Sequence, residues 1–150
     1  MKEKEYMRLE SDSIGTMEVP EDAYYGVQAL RAKENFPITG TKLHPVFIKN
    51  LAKIKRAAAI TNRKAGRLKP EIANAIEASA NEVICGMFDK DFIVDGIQGG
   101  AGTSANMNMN EVIANRAIEM LCGKKGDYTI VHPNDHVNMA QSTNDVIPTA

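Results

Sequence analysis

Apolar residues recur along the middle of the chain with helical spacing. After Pro45, the residues Phe47, Leu51, Ile54 and Ala58 fall at i, i+4, i+7 and i+11. They share one face of a helical period, which predicts a helix ending near Gly66. A second helix is predicted from Pro70-Glu71, with proline and an acid in its first turn, to about Met87. Its buried stripe is Ile72, Ile76, Val83, Ile84 and Met87. Asp89 to Gly102 reads as a loop around a short apolar stretch. A third helix covers about Ser104 to Leu121, with Ile113, Ala117, Met120 and Leu121 facing inward and Gly123 as its stop.

The flanks are less regular. From about Leu9 to Phe36 the chain is turn-rich: Met17-Glu18-Val19 suits a short strand, and Pro20-Glu21-Asp22-Ala23 reads as a helix start. Tyr128-Thr129-Ile130-Val131 suits another short strand, and Asp135 to Gln141 a short helical turn. Ser142-Thr143-Asn144-Asp145 is dense in helix-capping residues. With Asn144 or Asp145 as cap, Pro148 falls in or just past the first turn of a helix that is starting as the sequence stops at Ala150. The class is mainly α, and the chain reads as cut rather than finished.

Composition narrows the function classes. The 150 residues suit one ordinary core, and 43% hydrophobic with 25% charged residues is a globular balance. A net charge of −1 argues against whole-molecule attraction to nucleic acid or anionic membrane. No apolar run reaches the roughly 20 residues of a membrane helix. Met1-Lys2-Glu3-Lys4-Glu5 is too charged to open a signal peptide, so the cytoplasm is the expected compartment. Cys85 and Cys122 are expected as reduced, buried thiols. His44, His132 and His136 show no zinc-type spacing, and neither metal nor organic cofactor is expected.

Two segments carry candidate chemistry. Gln98-Gly99-Gly100-Ala101-Gly102-Thr103-Ser104 is a glycine-rich loop entering a helix, where free N–H groups and hydroxyls suit an anion; an ordinary turn and cap would look similar. The helix behind it holds Asn106, Asn108, Asn110 and Asn115. Asparagine is a poor helix former, so this density points to a polar network or a ligand rather than a solvated face. The second segment, His132-Pro133-Asn134-Asp135-His136-Val137-Asn138 followed by Gln141-Ser142-Thr143-Asn144-Asp145, crowds imidazole, amide and hydroxyl groups beside a new helix start. Either histidine suits acid–base work or a structural hydrogen bond. Ser142 with Asp145 also fits a capping box. Together these two donor-rich helix starts suit a small dicarboxylate.

At this point the motifs identify a family. Gly99-Gly100-Ala101-Gly102-Thr103-Ser104-Ala105-Asn106-Met107-Asn108, continuing to Asn115, resembles a stretch shared by aspartases and class II fumarases. Asn134-Asp135-His136-Val137-Asn138, Gln141-Ser142-Thr143-Asn144-Asp145 and Pro148-Thr149 resemble the superfamily's first signature region, and Gly15 to Pro20 with Ala23 to Gln28 fit as well. Gly100-Ala101-Gly102-Thr103, Ser142-Thr143-Asn144 and Tyr24-Tyr25-Gly26 lean to the aspartase branch.

The resemblance implies a lyase that reversibly eliminates ammonia from L-aspartate through an aci-carboxylate intermediate, with hydration of fumarate as the alternative. It implies that Thr103, Ser142 and Thr143 bind the β-carboxylate and that Asn144 lies near the amino group. His132, Pro133, Asn134 and Asp135 match a secondary dicarboxylate site of fumarases. It further implies an N-terminal lyase domain over residues 1–140, with 141–150 opening the first helix of a central bundle. The bundle, the loop with the base and the other signature region have no match here, so the catalytic base is expected beyond Ala150 and no catalytic residue is assigned within the 150. A homotetramer is implied for the full enzyme, and no lyase activity for this chain alone.

A reading of another class is a helical binding module. Lys49, Lys53, Lys55, Arg56, Arg63, Lys64, Arg67 and Lys69 form a basic run, of which Lys49, Lys53, Arg56, Arg63 and Arg67 suit one helix face. A solvated face is the plainer account at this net charge.

Overall fold

The structure is a computed structural model describing residues 6–150; the charged opening, Met1 to Glu5, lies outside the described residues. It begins with an antiparallel hairpin, β1 (Met7–Ser11) and β2 (Thr16–Pro20), with Arg8 opposite Val19 and Ser11 opposite Thr16. β1 alternates in the reverse of the usual sense. Arg8 and Glu10 point inward, and Leu9 is exposed. That inversion hides β1 from a search for apolar alternation, whereas β2 includes the expected Met17 to Val19.

No helix starts at Pro20. The Arg8 guanidinium takes up the carbonyls of Pro20 (2.7 Å), Ala23 (2.9 Å) and Tyr25 (2.9 Å), which holds residues 20–25 as an irregular turn. The helix starts later, as α1 (Val27–Asn35). Its first N–H groups are taken by two buried carboxylates. Glu111 accepts from Gly26, Gln28 and Ala29, and Glu10 accepts from Val27. Gly26 permits this approach, because a Cβ there would lie 2.3 Å from the Tyr128 hydroxyl and 2.6 Å from Glu10 Oε2.

The core is helical. α2 (Pro45–Lys64) and α3 (Pro70–Ile84) pack on each other, and α4 (Thr103–Met120) packs on α3. Both predicted prolines occupy the first turn. On α2 the buried stripe is Ile48, Leu51, Ala52, Lys55 and Ala59, one position round from the predicted face; Phe47 and Ile54 flank it. α3 ends before Met87, which is exposed, because Cys85 and Gly86 turn the chain to seat Phe88 and Phe92 in the core.

α4 is enclosed, with Ala105 to Asn115 buried throughout, which makes it the centre of the fold. Its end is a left-handed cap formed by Cys122 (φ 62°), not Gly123. Gly123 N–H returns to Ile118 O at 2.9 Å, and Cys122 N–H to Glu119 O at 3.0 Å. The expected strand at 128–131 is a run of turns, since no neighbouring strand meets it. Cys85 and Cys122 are free, as expected, but exposed rather than buried, because both lie just past helix ends.

Candidate functional site

Three segments converge beyond the N-terminus of α4. The first is the glycine loop. Gly102 caps α4 with φ 87°, and a Cβ on it would lie 2.8 Å from Ile147 Cγ2. Its lack of a side chain therefore serves both the backbone and the seat of Ile147. Gly99 approaches the Phe36 ring in the same way, at 2.6 Å for an added Cβ. Thr103 is the first residue of α4 and is exposed; Ser104 is half-buried.

The second segment is α5 (Thr143–Thr149), with Ser142 as its cap. The cap lies two or three residues earlier than the expected Asn144 or Asp145, which puts Pro148 inside the helix. The Ser142 side chain makes no capping bond, so the capping box does not form; Ser142 O accepts from Asp145 N and Val146 N instead. Ser142 and Asn144 are exposed and Thr143 is half-buried. Ala150 is held by α5 and by α2. Its N–H donates to Val146 O at 3.2 Å, and its carbonyl accepts from Asn50 Nδ2 of α2 at 2.9 Å, which pins the end of α5 to the core. The base expected beyond Ala150 lies outside the described residues. Ile147 lines a recess of about 500 Å³ with Gln98, Gly100, Gly102, Lys42 and His44.

The third is hidden beneath. Lys55, on the buried face of α2, has no exposed surface. Its ammonium donates to Asn106 Oδ1 (2.7 Å) and Asn138 Oδ1 (2.8 Å). Asn106 Nδ2 donates to Thr143 Oγ1 (3.0 Å) and Asn138 Oδ1 (3.2 Å). Burial depresses the Lys55 pKa to about 7. By sequence, Lys55 is one member of the basic run and Asn138 has no role of its own. The available signal was the position of Lys55 between Leu51 and Ala59, four residues from each on an apolar face.

The asparagines of α4 are buried rather than a solvated face, and three of them bind neighbouring segments, while Asn110 reaches only Met107 Sδ at 3.5 Å. Asn108 ties residues 91–93 to the helix through Asp91 O and Ile93 N, and Asn115 ties down Tyr24 O and Gly126 N. Asn106 is the member that reaches the α5 start.

The other predicted segment lies elsewhere. His132, Pro133 and Asn134 line a cleft of about 440 Å³ with Asp12, Gln28 and Arg31; Asp135 is exposed and outside that lining. Pro133–Val137 forms one π-helical turn, near the expected helical turn. All three histidines use Nδ1 to accept backbone N–H groups. His132 accepts from Asn134 and Asp135, His136 from His132, and His44 from Val46 at the start of α2. Since His132 Nδ1 is an acceptor, its 3.5 Å approach to Asp135 Oδ2 is not a charged hydrogen bond.

The basic face of α2 is partly engaged. Arg56 donates to Asn81, and Arg63 contacts Asn74 and Glu77 of α3, while Lys49 and Lys53 are exposed. No helix among the described residues is long and apolar enough to cross a membrane.

A family model described as Lyase matches residues 15–150. The chain belongs to this lyase family. Aspartate ammonia-lyase of Bacillus sp is 56% identical over 144 residues, 96% of this chain and 31% of that protein. Fumarate hydratase class II of Halobacterium salinarum is 57% identical over 143 residues, 95% of this chain and 30% of that protein. The fumarate lyase:delta crystallin structure from Brucella melitensis superposes with a TM-score of 0.93 at 50% identity, covering 95% of this chain and 34% of that one. The mainly α architecture is therefore the lyase fold, and the chain spans about a third of the length of the relatives it matches.

Proposed function

We propose that this chain is the substrate-binding N-terminal part of an enzyme that reversibly eliminates ammonia from L-aspartate to give fumarate. Removing a proton from the carbon beside the β-carboxylate leaves an aci-carboxylate with added negative charge, and ammonia then departs from the neighbouring carbon. Fixed donors aimed at that charge lower the barrier, and loss of one such donor costs about 2.7–4 kcal/mol. Thr103, Ser142 and Thr143 supply hydroxyls for the β-carboxylate, and Asn144 faces the amino group. The observation that carries this reading is the Asn106 to Thr143 bond, which occupies the hydroxyl oxygen and leaves its hydrogen for a ligand.

The base comes from a family segment beyond Ala150, without a match in these residues, so the 150-residue chain alone turns over no substrate. The full enzyme is a cytoplasmic homotetramer needing no cofactor, with residues 141–150 opening the first bundle helix and 1–140 forming the N-terminal domain. The cleft at His132 to Asn134 serves as a secondary dicarboxylate site.

Fumarate hydration is the second reading, favoured by the 57% identity to the Halobacterium salinarum hydratase. The naming of the Bacillus sp relative and the residues Ala101, Thr143 and Tyr25 favour the first. Fumarate appearance, followed by ultraviolet absorbance with the natural full-length chain, tests both. Turnover of L-aspartate but not L-malate is expected; the reverse preference would establish the hydratase.

A further inference from the structure

Lys55 stands where a hydrophobic residue would serve stability better. It is fully buried, and among the described residues its hydrogen-bond partners are two neutral amide oxygens rather than a carboxylate. Enclosing an ammonium in this way is costly. What the charge supplies is direction.

In its protonated form Lys55 has three donors and no acceptor, so each amide beside it must present oxygen. Asn106 therefore turns Oδ1 toward Lys55 and its NH₂ toward Thr143 and Asn138. Asn138 likewise presents Oδ1 to Lys55 and Asn106, and its NH₂ to Gln141 O at 3.3 Å. The Thr143 hydroxyl then has to accept from Asn106, and its own hydrogen points away from the network. Without the charge, the Asn106 amide is free to flip, and the Thr143 hydrogen can turn inward to its oxygen.

We propose that Lys55 is a positioning residue for carboxylate recognition: through Asn106 it holds the Thr143 hydroxyl as an outward-facing hydrogen-bond donor. The proposal rests on Thr143 being a substrate-binding residue, as in the function proposed above. It gives the buried lysine a role in the site without contact to the substrate, and it makes donation run one way, from Lys55 to Asn106 to Thr143 to ligand.

The test is a double-mutant cycle in the full-length enzyme, with L-aspartate or L-malate, whichever it turns over. Thr143→Val removes the donor and is expected to lower kcat roughly 100-fold. Lys55→Met keeps the length of the side chain but not its charge, and is expected to lower kcat about tenfold. The double variant should be within about twofold of Thr143→Val alone, because Lys55 acts through that hydroxyl. A further tenfold loss in the double variant overturns the proposal, since general structural damage would multiply. If Lys55→Met yields no soluble enzyme, Asn106→Ala enters the same cycle, and multiplicative losses there overturn the proposal equally. A wild-type enzyme that turns over neither compound rejects the proposed function itself, and this proposal with it.

Discussion

Glu111 sits with no exposed surface at the middle of α4, where two opposing effects meet. Three backbone N–H groups donate to its carboxylate, at 3.0, 2.8 and 3.0 Å, which favours the anion. Burial and the neighbouring Glu10 oppose it, and burial dominates, pushing the pKa from 4.5 to about 7. A carboxyl whose folded pKa is raised contributes its full stability below the unfolded value and loses it as pH rises through the folded one. Between pH 5 and pH 8 that loss amounts to about 2.5 kcal/mol. Glu111→Gln does not titrate. Its carbonyl oxygen can serve two of the three N–H groups, and its NH₂ then faces the third, a cost of about 1–3 kcal/mol. The variant should therefore be the less stable protein at pH 5 and should draw level with, or overtake, wild type by pH 8. Urea midpoints by circular dichroism at both pH values measure this, and taking the difference cancels Lys55, His136 and the other titrating groups. A difference that stays constant from pH 5 to pH 8 would refute the reasoning: the three donors would then hold the carboxylate ionised throughout.

Gly102→Ala places a Cβ at φ 87° and 2.8 Å from Ile147. It should cost about 1–2 kcal/mol from the backbone alone, with more from the collision. Ile147→Ala in the same chain should recover the collision but not the backbone part, as read by thermal melts. Arg8→Lys removes the planar fork that reaches four carbonyls and Glu10. It should cost about 2–4 kcal/mol and raise hydrogen exchange first at residues 20–26. With Arg56 and Arg63 engaged by α3, a labelled DNA or RNA duplex should show no mobility shift with this chain at low salt. A salt-sensitive shift would restore the binding-module reading.

The helices at 45–64, 70–84 and 103–120 were legible because their signals are local: prolines at the starts of the first two, apolar spacing along them and a turn at each end. The family was legible because its motifs are long and ordered, and the glycine loop at the start of α4 because its composition is distinctive. Tertiary structure decided the rest, through contacts between residues far apart in sequence. Arg8, by claiming carbonyls up to 17 positions away, overrode a plausible helix start at Pro20. Glu111, 82 to 85 positions from the N–H groups it accepts, set where α1 begins. The run at 128–131 has strand-like residues but no partner, and an unpaired strand cannot satisfy its backbone. Lys55 reads as one member of a basic surface until the fold places it against Asn106 and Asn138, 51 and 83 positions away. Local sequence determines which segments can be helices; only the closed core decides which charges it encloses, and those charges orient the groups at the site.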